Sequence, residues 1–356
     1  MSIVAHSHPY VIGVDTHARN HVYALLAAAT GELIDSAQFP TTTAGMRRAL
    51  SWAANRTGGD LDALWVIEGA ASYGARLAGS VAAGGYPVAE AARMNARGSR
   101  GVGKSDPIDA RRIAAAVLPL DVDELRRPRL DEGTRAALQV LVTARESITA
   151  ERTRAINALT AVLRVHDLGI DARKPLTRTQ IAEVSRWRTR DEDLVRATAR
   201  SEAVRRAGRI LTLDDELEAN TSRTRELVEI STAAPLLTMT GVGPVTAAVC
   251  LTAWSHHGRL RSEAAFASLS GVSPIPASSG NTVRHRLNRG GDRRVNRALH
   301  MATVTRMTHD PETRAYVAKR RAEGRTDKEI RRCLKRYLAR RIYRSLTDTQ
   351  TRRKAA

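Results

Sequence analysis

Residues 10–39 read Y-V-I-G-V-D-T-H-A-R-N-H-V-Y-A-L-L-A-A-A-T-G-E-L-I-D-S-A-Q-F. Tyr10–Val14 is a short apolar run that stops at Asp15. His21–Ala29 is a second strand-like run and Glu32–Phe39 a third, with Gly31-Glu32 marking the hairpin between them. Further on the periodicity changes. Thr42–Ala54 has helical spacing with Thr43 as a cap, Leu64–Ile67 is a buried-looking strand ending in Glu68-Gly69, Tyr73–Ala83 is helical, and Tyr86–Ala89 is a fifth strand. Three meandering strands followed by alternating helix and strand predict a mixed sheet with helices on its faces.

Asp15 and Glu68 each stand where an apolar strand stops. If those strands are neighbours, both acids project from one edge of the sheet. Residues 95–104 are glycine-rich and basic and read as a mobile loop. They lead into Ser105-Asp106-Pro107-Ile108-Asp109-Ala110-Arg111-Arg112, where Pro107 fits the first position of a helix and Asp106 its cap. Asp106 and Asp109 are three residues apart and can face the same way on a helical turn. Each acid alone has a purely structural explanation, as a strand end, a cap or a complement to the helix dipole. Together, four carboxylates so placed suit hard divalent cations. Mg²⁺ takes oxygen ligands and keeps waters for a substrate phosphate, and two such ions can clamp the attacking and leaving oxygens of a phosphodiester.

The middle of the chain is helical. Leu120–Leu130 is Pro- and charge-rich and reads as a linker; Asp131–His166 then has unbroken helical spacing after Gly133. Leu138, Leu141, Ile148, Ala155, Leu159 and Val162 fall on a heptad seam that Arg145 and Arg152 interrupt, as in a leaky coiled coil serving as an arm or dimerisation element. Residues 168–190 are irregular and basic and carry no assignment, whereas Glu192–Arg209 and Leu213–Ile230 read as two more helices. Within Pro235–Trp254, apolar helical segments flank Gly241-Val242-Gly243. This pattern fits a helix-hairpin-helix, in which the second helix N-terminus faces a phosphate, and equally a tight turn between two core helices.

The formal net charge is +20, and residues 251–356 carry +17 of it, nearly all as arginine. Such a field attracts a polyanion and makes binding salt-dependent. The basic segments lack large Trp- or Phe-bearing apolar faces, which argues against a membrane surface, and aromatics at 4% argue against base stacking as the main binding device. Cys250 and Cys333 are the two cysteines, so neither a disulfide framework nor a zinc cluster is visible. A polar N-terminus and the absence of a long apolar run give a cytoplasmic protein as the expectation.

The basic third contains Ser273–Arg297, S-P-I-P-A-S-S-G-N-T-V-R-H-R-L-N-R-G-G-D-R-R-V-N-R. Ser278 and Ser279 sit on a turn closed by Gly280, and Arg284, Arg286, Arg289, Arg293, Arg294 and Arg297 follow. Hydroxyls beside dense guanidinium charge suit phosphate chemistry or phosphate binding. The plainer alternative is a Ser/Gly loop followed by a solvated basic helix. Ser262–Leu269, Arg293–Met307 and Pro311–Glu323 read as helices, and Thr326–Leu346 as a very basic one. Ile330, Leu334, Leu338 and Ile342 make its apolar stripe, and Arg331, Arg332, Lys335, Arg336, Arg340 and Arg341 a face for a polyanion.

Four short stretches, in order, carry a family resemblance: G-V-D at Gly13–Asp15, I-E-G at Ile67–Gly69, K-S-D-P-I-D-A-R at 104–111, and a G-V-G turn ahead of S-G in a basic C-terminal region. In this combination the chain resembles the insertion-sequence 110 family of transposases, which are DEDD-type recombinases. The resemblance implies an α/β ribonuclease-H-like, Holliday-junction-resolvase-like domain over 1–120, a helical coiled-coil arm over 121–232, and a mainly α transposase domain over 233–356. It implies Asp15, Glu68, Asp106 and Asp109 as metal ligands for Mg²⁺, two ions in number. Matching S-P-x-x-x-x-S-G onto Ser273–Gly280 implies Ser279 as a nucleophile that forms a phosphoserine link to DNA, with the adjacent Ser278 as the alternative. Implied partners are donor and target DNA, a structured guide RNA, and further copies of the chain, a dimer assembling to a tetramer. Two other readings stand beside this one: a Mg²⁺-dependent junction resolvase that hydrolyses DNA with water, and a non-catalytic nucleic-acid-binding protein.

Overall fold

A computed structural model describes residues 2–91, 105–129, 133–278, 285–286, 288 and 290–355. The loop 95–104, Ser279, Arg284 and Arg289 lie outside the described residues. The chain divides into two compact units, Met1–Asp131 with Ser255–Arg261, and Glu132–Trp254 with Ser262–Ala356. The long helical stretch 133–229 lies within the second unit, and residues 255–261 within the first.

The first unit holds helix α1 (Val4–Ser7), strands β1 (Tyr10–Thr16), β2 (Asn20–Ala27) and β3 (Leu33–Pro40), helix α2 (Thr43–Thr57), strand β4 (Leu64–Ile67), helix α3 (Ala75–Ala83), strand β5 (Val88–Glu90) and helix α4 (Asp106–Ala115). The sheet order is β3-β2-β1-β4-β5. β1 pairs antiparallel with β2 and parallel with β4; β2–β3 is antiparallel and β4–β5 parallel. This is the mixed sheet that the run of strands predicts. Both faces are covered, so the central strands are apolar on both sides. Ile12, Val14, Tyr23, Leu25, Trp65 and Ile67 pack on one side with Trp52 of α2 and Leu77 of α3. Val11, Val22, Leu64 and Val66 pack on the other with Ala110, Ile113 and Ala114 of α4.

Local capping corrects two details. Thr42, not Thr43, caps α2, its hydroxyl accepting from the Gly45 amide at 3.1 Å. Asp106 is the first residue of α4 rather than its cap, a place taken by Ser105 without a side-chain bond. The Asp106 carboxylate is thus left available outside the helix.

The second unit is helical: α5 (Gly133–His166), α6 (Arg178–Ser185), α7 (Leu194–Glu229), α8 (Pro244–Trp254), α9 (Glu263–Leu269), the short ladder β6 (Ile275–Pro276) with β7 (His285–Arg286), α10 (Arg293–His309), α11 (Pro311–Ala322) and α12 (Asp327–Ala355). The two helices expected over 192–230 are one. No proline separates them, and the interior Gly208 faces open space. The unassigned stretch contains α6, started by a reciprocal Thr177–Gln180 capping box. α5 and α7 pack side by side and antiparallel, with Leu138, Val142, Leu159 and Leu163 buried on α5. Arg145 and Arg152 do not simply interrupt that contact. Arg145 donates to the Leu217 carbonyl at 3.0 Å and the Thr221 hydroxyl at 2.8 Å, and Arg152 pairs with Asp214. Among the described residues, no helix is long and apolar enough to cross a membrane.

Candidate active site

The site is built where β1 and β4 end. Their parallel register runs through Val14 opposite Ile67, so Asp15 and Glu68 leave the sheet side by side. The Glu68 amide donates to the Val14 carbonyl at 3.0 Å, and the Thr16 hydroxyl to the Glu68 carbonyl at 2.9 Å. The third and fourth acids come from the first turn of α4, which lies on the face of β1 and β2.

Gly13 decides how close that helix lies. A Cβ at Gly13 would sit 2.1 Å from the Ala110 carbonyl oxygen and 2.6 Å from the Ala114 nitrogen, distances that backbone atoms cannot yield to without moving the helix. Glycine lets α4 rest directly on the strand, two residues before the strand turns acidic at position 15.

The result is a graded cluster. Asp15 is its buried floor, Asp109 is half-buried, and Glu68 and Asp106 lie toward solvent. Burial raises the Asp15 carboxyl above the usual range. His17 works against that shift, and the negative charges of Asp106 and Asp109 add to it. Glu68 is also raised, first by lost hydration and then by Asp15 and Asp109. Asp15 thus senses Asp106 and Asp109, and Glu68 senses Asp15 and Asp109. Asp109 also receives Arg112 Nη1 at 3.4 Å on its own helix.

One member was not read from the sequence. His17 Nε2 lies 3.2 Å from Asp15 Oδ2 and 3.6 Å from Asp106 Oδ2. The available signal was the D-x-H spacing at a strand end, which puts alternate side chains on one side.

The basic residues of the second unit have mixed surroundings. Gly241 adopts φ +80°, and a Cβ there would meet the Ala302 carbonyl oxygen of α10 at 2.5 Å. The G-V-G turn is therefore fitted against α10, while Gly243 is exposed ahead of α8. The segment before the turn is a 3₁₀ helix, Ala234–Thr238. Arg294 and Arg297 both engage Glu146 of α5, at 2.8 and 3.2 Å. Arg286 and Arg293 are exposed. On α12, Arg331 donates to the Asp327 carbonyl, Arg332 is exposed, Lys335 donates to Asn296 Oδ1 at 3.1 Å, and Arg336 reaches Ser273 Oγ at 3.5 Å. Lys335 is lowered from the usual lysine range by burial and by Arg332.

Two family models match the chain. Residues 12–166 match the DEDD model of the IS110 type, described as a transposase, and residues 233–318 match the model described as the transposase IS116/IS110/IS902 family. Among similar proteins, an uncharacterised 44.8 kDa protein of insertion element IS116 from Streptomyces clavuligerus is 28% identical over 88% of each chain. An uncharacterised 42 kDa protein of insertion element IS900 from Mycobacterium paratuberculosis is 27% identical over 64% of this chain and 67% of its own. An uncharacterised 43.6 kDa protein of insertion element IS110 from Streptomyces coelicolor is 32% identical over a shorter segment, 34% of this chain and 30% of its own length.

Proposed function

Because the chain belongs to the IS110 family of transposases, we propose that it cuts and rejoins DNA strands by a reaction that uses both the carboxylate cluster and Ser279. The observation that carries this reading is the convergence of Asp15, Glu68, Asp106 and Asp109 from two strand ends and one helix start. The sheet order, with β2 reversed and β1, β4 and β5 parallel, supports a ribonuclease-H-like architecture for the first unit. The α5–α7 pair supports the reading of an arm, on which copies of the chain assemble as dimers and tetramers.

The donor set fits a divalent cation. Carboxylates crowd together, two of them have raised pKa values, and the His17 imidazole stands beside them. Hard oxygen donors of this kind suit Mg²⁺, in one or two ions. A bound cation would polarise a phosphoryl oxygen and stabilise the charge that develops on it. Asp15 and Glu68 would hold that cation from the sheet, and Asp106 and Asp109 from the helix.

The serine supplies the transfer chemistry. Its Oγ attacks phosphorus, the bond from phosphorus to the leaving strand oxygen breaks, and the Oγ proton is given up as the leaving oxygen gains one. A phosphoserine ester and a free hydroxyl end remain. Attack on that ester by the hydroxyl of another strand reverses the step and releases Ser279, with no net loss of phosphodiester bonds. The strongly positive last third suits the partners this requires, donor and target DNA and a structured guide RNA.

The test is substitution of the acids one at a time. Asp15→Asn, Glu68→Gln, Asp106→Asn and Asp109→Asn should each lower strand cleavage by about 100-fold or more, with nucleic-acid binding retained. Unchanged cleavage in Asp15→Asn would remove the cluster from the reaction.

A further inference from the structure

The expectation of an all-oxygen Mg²⁺ site takes no account of His17, whose ring stands between carboxylates from different elements. Asp15 ends β1 and Asp106 begins α4, and His17 Nε2 faces both, at 3.2 and 3.6 Å. One donor atom from each of the three residues lies within 4.8 Å of the other two. Metal–ligand bonds of about 2.1 Å in an octahedron put neighbouring donors about 3 Å apart and opposite donors about 4.2 Å apart. The two His17 separations fall in that window, and the third donor pair lies within 4.8 Å, so small side-chain shifts let these three groups share one cation. The side chain is 47% exposed, so it has no role in the core that would account for its position.

We propose that His17 is a direct nitrogen ligand of the cation held by Asp15 and Asp106, which makes the site a mixed nitrogen–oxygen centre that prefers Mn²⁺ to Mg²⁺. The proposal rests on the reading of the carboxylate cluster as a cation site. Its chemistry follows from donor type. Mg²⁺ is hard, gives up water reluctantly and favours oxygen, whereas imidazole nitrogen suits first-row transition ions, among which Mn²⁺ still accepts carboxylates readily. The same octahedral site therefore accepts either ion, and the nitrogen sets the preference. An incoming phosphate would complete the coordination of either ion equally, so His17 acts on which cation is resident.

The experiment uses the full-length chain and Mn²⁺ as a paramagnetic probe, read by electron spin-echo envelope modulation. Bound Mn²⁺ in the wild type should show ¹⁴N modulation from a coordinated imidazole. His17→Gln should lose that modulation while still binding Mn²⁺, about tenfold more weakly, and the excess affinity for Mn²⁺ over Mg²⁺ should shrink with it. Asp15→Asn marks which ion is under study, because it should abolish this binding. If Mn²⁺ binds in an Asp15-dependent way without ¹⁴N modulation, or the modulation survives in His17→Gln, His17 is not a ligand and the carboxylate site stands. If no Asp15-dependent Mn²⁺ binds, this proposal and the cation-site reading both fall.

Discussion

At the scale of single residues, the placement of the cluster depends on one missing methyl group. Gly13 allows the backbone of α4 to touch β1, and through α4 it sets where Asp106 and Asp109 stand relative to Asp15. Gly13→Ala should cost about 1–3 kcal/mol of stability through overpacking. Because it moves two of the four acids, it should also weaken divalent-cation binding by about tenfold or more, whereas an alanine at Gly208, in open space, should leave binding unchanged. Thermal melts paired with Mn²⁺ titrations separate the two effects. Asp15 and Glu68 were legible in the sequence because a strand that ends in an acid is a recognisable pattern, and the parallel register supplied the rest. Asp106 was legible as a position but misread as a cap. His17 was not legible, because a single histidine two residues beyond an aspartate acquires meaning only when α4 brings Asp106 against it.

At the scale of elements, the long helices are held in register by polar groups. Arg152 pairs with Asp214, and Asn220 donates to the Leu141 carbonyl at 3.1 Å across the α5–α7 contact. Removing one partner should cost more than removing both. Asp214→Ala alone should destabilise the second unit by about 1–3 kcal/mol, because a partly buried guanidinium loses its partner. Arg152→Met with Asp214→Leu should be close to neutral. Chemical denaturation of the two variants checks this. A second junction responds to pH. Asp310 caps α11 by accepting from the Thr313 amide at 3.0 Å, and its carboxylate meets Arg306 Nη2 at 2.8 Å. Burial pushes this carboxyl up, but the Thr313 bonds and the Arg306 charge outweigh it and hold the group below the usual range. A lowered folded value means that the junction contributes stability above the unfolded pKa of about 4 and loses it as pH falls through the folded value. The wild type should therefore lose more stability than Asp310→Asn between neutral pH and the acid range, as melts at both pH values would show. The heptad pattern predicted α5, and the arginines that look like interruptions of its seam are residues with partners on α7. The boundary near residue 210 was misplaced for a related reason: charge and composition change there, while the backbone finds nothing to stop it.

For the whole molecule, the decisive property is that the charge excess and the acidic cluster belong to different parts of one chain, +17 in the last third against a carboxylate site in the first. That asymmetry was visible in composition, but how much of the charge is free was not. Arg294 and Arg297 are engaged with Glu146, and Arg340 and Arg344 with Glu263, while Arg332 and Arg336 have no carboxylate partner among the described residues. Joint replacement of Arg332 and Arg336 by alanine should reduce the slope of log affinity against log salt by about 2, and Arg294→Ala should change it by less than about 1. Filter-binding titrations over a salt series decide this. The division into two compact units was equally hidden, because residues 255–261 are remote in sequence from the sheet they fold with. The central claim joins the two ends of the chain: the carboxylates and Ser279 serve one strand-transfer reaction. Its most direct test is to stop the reaction with denaturant on DNA carrying the flanks of the encoding element, using protein isolated with its bound nucleic acid and supplied with a divalent cation. The account predicts a covalent protein–DNA adduct whose phosphate maps by mass spectrometry to Ser279, and which is absent from both Ser279→Ala and Asp15→Asn. Cut strands without an adduct, with cleavage surviving in Ser279→Ala, would contradict it and point to hydrolysis by water.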